Sequence, residues 1–362
     1  MSRRNRIANA VVDFGGAGQR VVAGIDDAGL RSRWTLPIAG RDHRSRLQLM
    51  CAAFYFLRRL HPSPVFSFVF LASMLHAGTS QTLPRKIWEQ FSGEKALVHV
   101  QQLVDFGPHP PGSEAIQKSR EYIEKQLKLY GWQVAEQAFT DETPRGAVRF
   151  VNLVARFPGA ANAHVAVPSF LLCSHYDTKL FDTIRFVGAN DGGSSTGLLL
   201  ELARVLGLHP SLAKKVELVF FDGEEAYENF SERDGLYGSR YFARRIAQDK
   251  IAKQFRGGIL FDMVGDRSLN ITLPPDSPRQ IAHDIFASAD ALTLRPYFTY
   301  FDQNITDDHT PLNAVGIPTI DIIDFDFVWW HTADDTIDKI SAQSLQVVGS
   351  VAAYYLSEFA LK

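Results

Sequence analysis

The 362-residue chain is 46% hydrophobic and 22% charged, ordinary proportions for a globular protein with a large buried core. A formal net charge of −2 leaves no basic field and argues against a nucleic-acid partner. Its two cysteines, Cys51 and Cys173, form no CxxC pair and exclude a disulfide framework.

Residues 1–49 are rich in Arg and Gly without a sustained period, and read as disordered or as a mis-annotated extension ahead of a true start at Met50. Within residues 50–80, Arg58 and Arg59 precede the apolar stretch from Pro64 to Ala77. At about 14 residues it is short for a bilayer span and suits a signal peptide cleaved at Ala77-Gly78. An uncleaved short N-terminal anchor is the alternative. Cleavage would export the protein, to the periplasm or outside the cell, and leave no stable membrane span.

From Thr79 onward no repeat or long linker interrupts the chain, so residues 81–362 read as one domain. Ser92 caps an amphipathic helix that runs to Asp105, with Gly107 just past its end. After the rigid turn 108–112, a second helix runs from Ser113 towards Tyr130 and stops at Gly131. Strands follow over 132–139, at an edge, and over 148–157; a buried strand over 169–174 ends in His175-Tyr176-Asp177. A glycine-rich loop, 188–195, leads into a helix over 196–206. Val216–Phe221 is a nearly unbroken apolar run, a strand buried on both faces, and it ends in Asp222-Gly223-Glu224-Glu225. Next come a helix over Tyr237–Gln248, a strand over 258–264, a helix over 278–288 and a short helix led by Asp307-Asp308-His309. A strand over 318–323 and a final helix of about 20 residues from Ala342 complete the pattern. The alternation predicts a three-layer α/β/α sandwich around a central mixed, mostly parallel sheet.

Three carboxylates at the end of a buried strand repel one another and need compensation. Ligands of open α/β sheets bind outside the carboxyl ends of strands. A metal held by one glutamate, with the other free to move protons, accounts for the placement; a solvated acidic turn is the plainer reading. Other polar residues collect at neighbouring strand ends: His175, Asp177 and Asp262, with Asp191 opening a helix and His331 in Trp329-Trp330-His331. Asp191, Glu225 and His331 could give zinc three donors and leave a fourth position open. Glu224 would lie beside that position and shuttle a proton. Taken singly, His175 reads as a core histidine, Asp191, Asp307 and Asp308 as helix caps, and the two tryptophans as core or, beside a candidate ligand histidine, as a pocket wall. Asp262 in an apolar strand needs a partner.

The segments SHYDTK (174–179), FVGANDGGSSTG (186–197), FFDGEEAY (220–227), LYGSRYFA (236–243), LFDMVGD (260–266), DDHTP (307–311) and WWHTADD (329–335) occur in the order of the zinc aminopeptidase-like M28 superfamily. Over roughly residues 85–361 the chain most resembles the glutaminyl-peptide cyclotransferase (glutaminyl cyclase) branch. The resemblance implies that Asp191, Glu225 and His331 hold zinc and that Glu224 is the general acid/base. It implies that Asp262 holds the substrate α-amine, that Asp307 joins an acidic chain behind the site, and that Trp330 and Phe230 line the pocket. In the aminopeptidases His175 and Asp262 bind a second zinc bridged by Asp191, and those residues are all present. Phe230 stands where animal cyclases have Trp, and Asn190-Asp191-Gly192-Gly193 is closer to the aminopeptidase loop. The implied reaction converts N-terminal Gln of peptides or proteins to pyroglutamate and releases ammonia, using one zinc. A dizinc aminopeptidase and an inactive binding protein on the same scaffold are the alternatives.

Overall fold

Caps and apolar spacing account for the first two helices. α1 (Gly93–Asp105) begins at Ser92, whose hydroxyl accepts a hydrogen bond from the Lys95 amide. α2 (Glu114–Leu129) begins likewise at Ser113, which accepts from the Ile116 amide, and Gly131 beyond its end takes φ 89°. In the computed structural model, which describes residues 86–159 and 169–362, both expected starts and stops are in place. The readings made for residues 1–80 lie outside the described residues.

β1 (Gln133–Thr143) and β2 (Gly146–Arg156) form an antiparallel hairpin, with β1 at the sheet edge as its alternation indicated. Both outrun the sequence expectation because pairing continues through polar residues up to Thr143 opposite Gly146. β3 (Ser169–His175), β4 (Val216–Phe221), β5 (Phe255–Asp262) and two short strands, β6 (Ile271–Leu273) and β7 (Phe298–Tyr300), precede β8 (Thr319–Ile323). The main sheet has the order β1-β2-β4-β3-β5-β8, antiparallel from β1 to β4 and parallel from β4 to β8. After β3 the chain adds β4 on one side and then β5 on the other. That reversal opens a crevice at the carboxyl ends.

α3 (Gly193–Gly207), α4 (Tyr237–Gln248), α5 (Arg279–Ala291), α6 (His309–Ala314) and α7 (Ala342–Tyr355) complete the layers. Leu172, Leu218, Phe220, Ile259 and Phe261 share one core with α1, α2, α3, α5 and α7. Their strand neighbours Leu171, Cys173, Val219, Phe221 and Leu260 share the other with α4 and α6. Alternate side chains of each strand therefore serve opposite helix layers, as the period of two requires. The result is a three-layer α/β/α sandwich. α3 is buried nearly all round, and each of its leucines contributes about 1.5–3 kcal/mol by leaving water.

Three departures have physical reasons. β5 starts earlier than expected, because Gly257 and Gly258 mask the strand pattern, and stops at Asp262, after which Met263 takes φ 47°. β6 and β7 are three residues each, too short for periodicity to register, and pair with each other in parallel. α7 ends at Tyr355 and is prolonged by one π-helical turn, Leu356–Ala360. Among the described residues no helix is long and apolar enough to cross a membrane.

Candidate metal centre and active site

The two glutamates owe their positions to backbone. Gly223 takes φ 77°, and a side chain there would lie 2.5 Å from the Phe150 ring, so only glycine lets the chain turn over the end of β4. Asp177, just past β3, accepts the amide N–H of Glu224 at 3.1 Å and of Glu225 at 3.3 Å. One carboxylate thus fixes both glutamates. Asp222 faces elsewhere, accepting from the Val151 amide at 2.7 Å and the Tyr176 hydroxyl at 3.3 Å.

Asp191 is held by a second such carboxylate. Asp335 accepts the amides of Asn190 at 2.7 Å and Asp191 at 3.1 Å. Gly192 takes φ 77°, and a side chain on it would sit 2.9 Å from the His175 ring, so the loop crosses His175 only as glycine. Gly192 is the N-cap of α3, which has no side-chain cap bond. The helix-cap reading of Asp191 therefore fails. Its Oδ1 lies 3.3 Å from His175 Nε2 and its Oδ2 lies 3.4 Å from His331 Nε2.

His331 reaches the same point from the opposite wall. Its φ of 55° puts a non-glycine residue in the left-handed region, at a cost of about 1–2 kcal/mol. Trp330 stacks on the imidazole at 4.2 Å, and Phe181 and Phe186 present their edges at 5.7 and 5.9 Å. His331 Nε2 stands 3.2 Å from Glu225 Oε2. Donor atoms of Asp191, Glu225 and His331 all lie within 4.8 Å of one another.

The set fits a divalent metal. Asp191 Oδ2 and Glu225 Oε2 are buried without a hydrogen-bond partner, a costly arrangement unless a cation completes it. Burial, reinforced by Glu225, pushes Asp191 up to about 7. Burial pushes Glu225 up to about 7 as well, against the opposing charge of Lys179, whose Nζ lies 3.6 Å from Glu225 Oε2. Burial holds His331 below its usual value, leaving the neutral imidazole that a metal requires. Two carboxylates and one imidazole are donors that suit zinc.

A second group shares Asp191. His175 Nε2 is 3.2 Å from Asp262 Oδ1, and donor atoms of His175, Asp191 and Asp262 again fall within 4.8 Å. Burial would lower the His175 pKa, but Asp177, Asp191 and Asp262 overcome it and hold the ring well above its usual value. In the metal-free protein a proton on His175 supplies the positive charge these carboxylates demand. His175 is thus more than a hydrogen-bonded core residue.

Behind Glu224 lies a third group, Asp307, His309 and Asp321, also within 4.8 Å. Asp308 makes no side-chain cap bond at α6, so the capping reading of the Asp307-Asp308 pair does not hold. Burial, then Asp307 and Glu225, raise Glu224 well above the ordinary carboxylate range. Trp329 and Trp330, read as core when taken singly, are 37% and 41% exposed, and Phe230 is 40% exposed. Lys179 Nζ sits 5.9 Å from the Phe230 ring, which keeps Phe230 near the Glu225 wall.

Every residue predicted for the site is buried except the pocket-wall rings and the half-buried His331, and the three metal-ligand candidates converge. Sequence reasoning gave no role to Asp177, Asp335, His309 or Asp321. The first two are acceptors for backbone amides, which no spacing reveals. Asp321 carried a readable signal, a lone carboxylate inside an apolar strand, the same one that drew attention to Asp262.

Fold and site together define a zinc aminopeptidase-like α/β enzyme with clustered candidate metal ligands at the carboxyl ends of its parallel strands. Residues 152–356 match peptidase family M28, and the chain belongs to that family. It is 28% identical over 321 residues to a glutaminyl-peptide cyclotransferase of Boiga dendrophila, covering 78% of this chain and 83% of that protein. A glutaminyl cyclase structure from an Acidobacteriales bacterium superposes with a TM-score of 0.68 at 32% identity, over 77% of this chain and 97% of that one. A Zn-dependent exopeptidase from Parabacteroides distasonis superposes with a TM-score of 0.67 at 25% identity, over 74% and 99%.

Proposed function

We propose that this protein is a zinc-dependent glutaminyl-peptide cyclotransferase, an aminoacyltransferase that converts N-terminal Gln of peptides and proteins to pyroglutamate. One observation carries the reading: Glu224 stands buried beside the Asp191–Glu225–His331 triad without belonging to it. The similarity to glutaminyl cyclases supports it. Asp191, Glu225 and His331 would hold the zinc, which when bound supplies Lewis acidity to the γ-carboxamide carbonyl. Asp262 receives the substrate α-amine. Glu224 removes a proton from the α-ammonium, and the freed nitrogen attacks Cδ, the carbonyl carbon of its own side-chain amide. The new C–N bond closes the lactam while the bond to the amide nitrogen breaks. Glu224 returns its proton to the leaving amide nitrogen, which departs as ammonia, and the ring nitrogen sheds its remaining surplus proton to solvent, leaving a neutral lactam.

The raised pKa of Glu224 suits a group that must hold that proton between the two transfers. Asp307 lies behind it as the source of part of that rise. Trp330 and Phe230 wall the pocket for the glutamine side chain. Because the nucleophile is tethered, no activated water is needed and one metal suffices. Glu224→Gln is expected to retain zinc and lose turnover by about 10²–10⁴-fold. Full activity in that variant would remove Glu224 from the mechanism.

The His175–Asp191–Asp262 group favours a second reading, a dizinc aminopeptidase. Ammonia from Gln-initiated peptides with one zinc per chain supports the cyclase; cleavage of Leu-initiated peptides with two supports the peptidase. We also propose that residues 81–362 are the catalytic domain and that residues 50–80 direct export. N-terminal sequencing of the exported protein should begin near Gly78.

A further inference from the structure

Partly exposed aromatic rings continue outward from the donor cluster in one direction. Trp330 stacks on His331 at 4.2 Å, Phe325 meets Trp330 at 5.4 Å, and Phe301 meets Phe325 at 5.6 Å. Phe325 and Phe301 are half-buried. Phe301 is fixed by its amide, which donates to the Leu273 carbonyl at 2.8 Å, so the short β6–β7 pair sets where the strip ends. There Phe301 lines an open cavity of about 480 Å³, together with Ala282, Arg279 and the 58% exposed Tyr300. Arg279 is exposed at the first turn of α5 and makes no ion pair among the described residues. The neighbouring Asp276 lies 3.5 Å from His309 Nε2 instead.

Resting on the cyclase reading, we propose that this strip binds the substrate residues that follow the N-terminal glutamine. A large apolar side chain enters the Tyr300–Phe301 cavity and a carboxylate meets Arg279. Three features select this occupant. The strip is continuous with the pocket wall at Trp330. Arg279, which lines its far end, makes no ion pair among the described residues and complements an acid. The strip's ring-to-ring steps bound its length at about 15 Å, the reach of four or five extended residues. The favoured substrates are therefore peptides of five or more residues, apolar at residue three or four, with an acidic side chain or the chain's own terminal carboxylate just beyond.

Ammonia release is compared for the amidated peptides Gln-Ala, Gln-Ala-Ala-Phe-Glu and Gln-Ala-Ala-Phe-Lys, and for Gln-Ala-Ala-Phe with a free carboxylate. Phe should raise kcat/KM over the dipeptide by about tenfold, expressed in KM. Glu should exceed Lys by about fivefold. Arg279→Glu should reverse that charge preference, and Tyr300→Ser should shrink the advantage of the longer peptides. The free-carboxylate peptide matching the Glu peptide would assign Arg279 to chain termini, and lagging behind it would assign Arg279 to acidic side chains. Equal kcat/KM for all four substrates overturns the proposal. If no Gln peptide releases ammonia, the cyclase reading fails. Binding of the same peptides to the Glu224→Gln protein, followed by tryptophan fluorescence, then decides the strip alone, and absence of the Phe and Glu preferences overturns it. A change in oligomeric state on Tyr300→Asp, with peptide preferences intact, would assign the strip to a second copy and also overturn it.

Discussion

Two sets of buried carboxylates act on this fold in opposite senses. Asp177, Asp234 and Asp335 each accept backbone amides and pin a loop: Glu224 and Glu225 on the first, Tyr227, Glu228 and Asn229 on the second, Asn190 and Asp191 on the third. Asp191, Glu225, Asp307 and Asp321 each leave a buried oxygen with no hydrogen-bond partner. Burial would raise the pKa of Asp234, yet its N–H partners win and lower it, whereas at Asp335 burial and then Asp191 outweigh the two amides and push it up to about 8. At Asp307 burial and neighbouring carboxylates raise it well above the usual range. The first set builds the crevice. The second makes it unstable without added positive charge, an instability that a bound cation would relieve.

Breaking the first set should have the largest effect. Asp335→Ala orphans two buried amides at about 1–3 kcal/mol each, so a loss of roughly 2–6 kcal/mol is expected in urea unfolding of the metal-free protein. Zinc affinity should fall with it, because Asp191 loses its anchor. Asp335→Asn keeps one acceptor oxygen and should lose about half as much. A metal-free Asp335→Ala protein as stable as the parent would show that these amides find other partners.

The second set predicts an unusual pH dependence. Folded and metal-free, Asp191 and Glu225 hold protons up to about pH 7, against 3.8 and 4.5 as their ordinary values. Between those limits the folded state binds more protons than the unfolded state, so stability is complete below the ordinary values and is lost as pH rises through 7. His175, also raised, acts in the same sense. His99, lowered from 6.5 to about 4 by burial and then Arg204, acts oppositely, so the comparison belongs above its range. In chelator, the protein at pH 8 should be less stable than at pH 6.5 by on the order of 2 kcal/mol. With zinc the trend should reverse, because the ligands must be deprotonated to bind. Greater stability at pH 8 in chelator would contradict the raised carboxylates.

The sequence exposed the second set better than the first. Glu224 and Glu225 stand at the end of an all-apolar strand, and Asp262 closes another, so their chemistry conflicts visibly with their surroundings. Asp177 and Asp335 conflict with nothing in a linear reading, because accepting an amide from a loop about 50 or 145 residues away leaves no periodic trace. The same limit applies to elements. Caps at Ser92 and Ser113 and the apolar run of β4 are local and were readable. The hairpin extension to Thr143 and the pairing of β6 with β7 exist only through cross-strand hydrogen bonds.

A smaller effect separates the two sets at a residue outside the triad. Asp321 is fully buried, neither of its oxygens has a hydrogen-bond partner although His309 Nδ1 lies 3.6 Å from Oδ2, and burial with Asp307 and Asp262 raises it well above the ordinary range. Asp321→Asn keeps the shape and removes a charge that repels its neighbours. The variant should therefore be more stable than the parent by about 1 kcal/mol at pH 8, where the charge is costliest, with little change at pH 5. Asp307, whose charge helps raise Asp321, would then face one fewer carboxylate and ionise more readily; because its charge raises Glu224, the acid limb of turnover governed by Glu224 should move to higher pH. Measuring both separates a structural from a functional carboxylate. A variant less stable at both pH values would place Asp321 with Asp177 and Asp335, as an acceptor whose partner matters more than its charge.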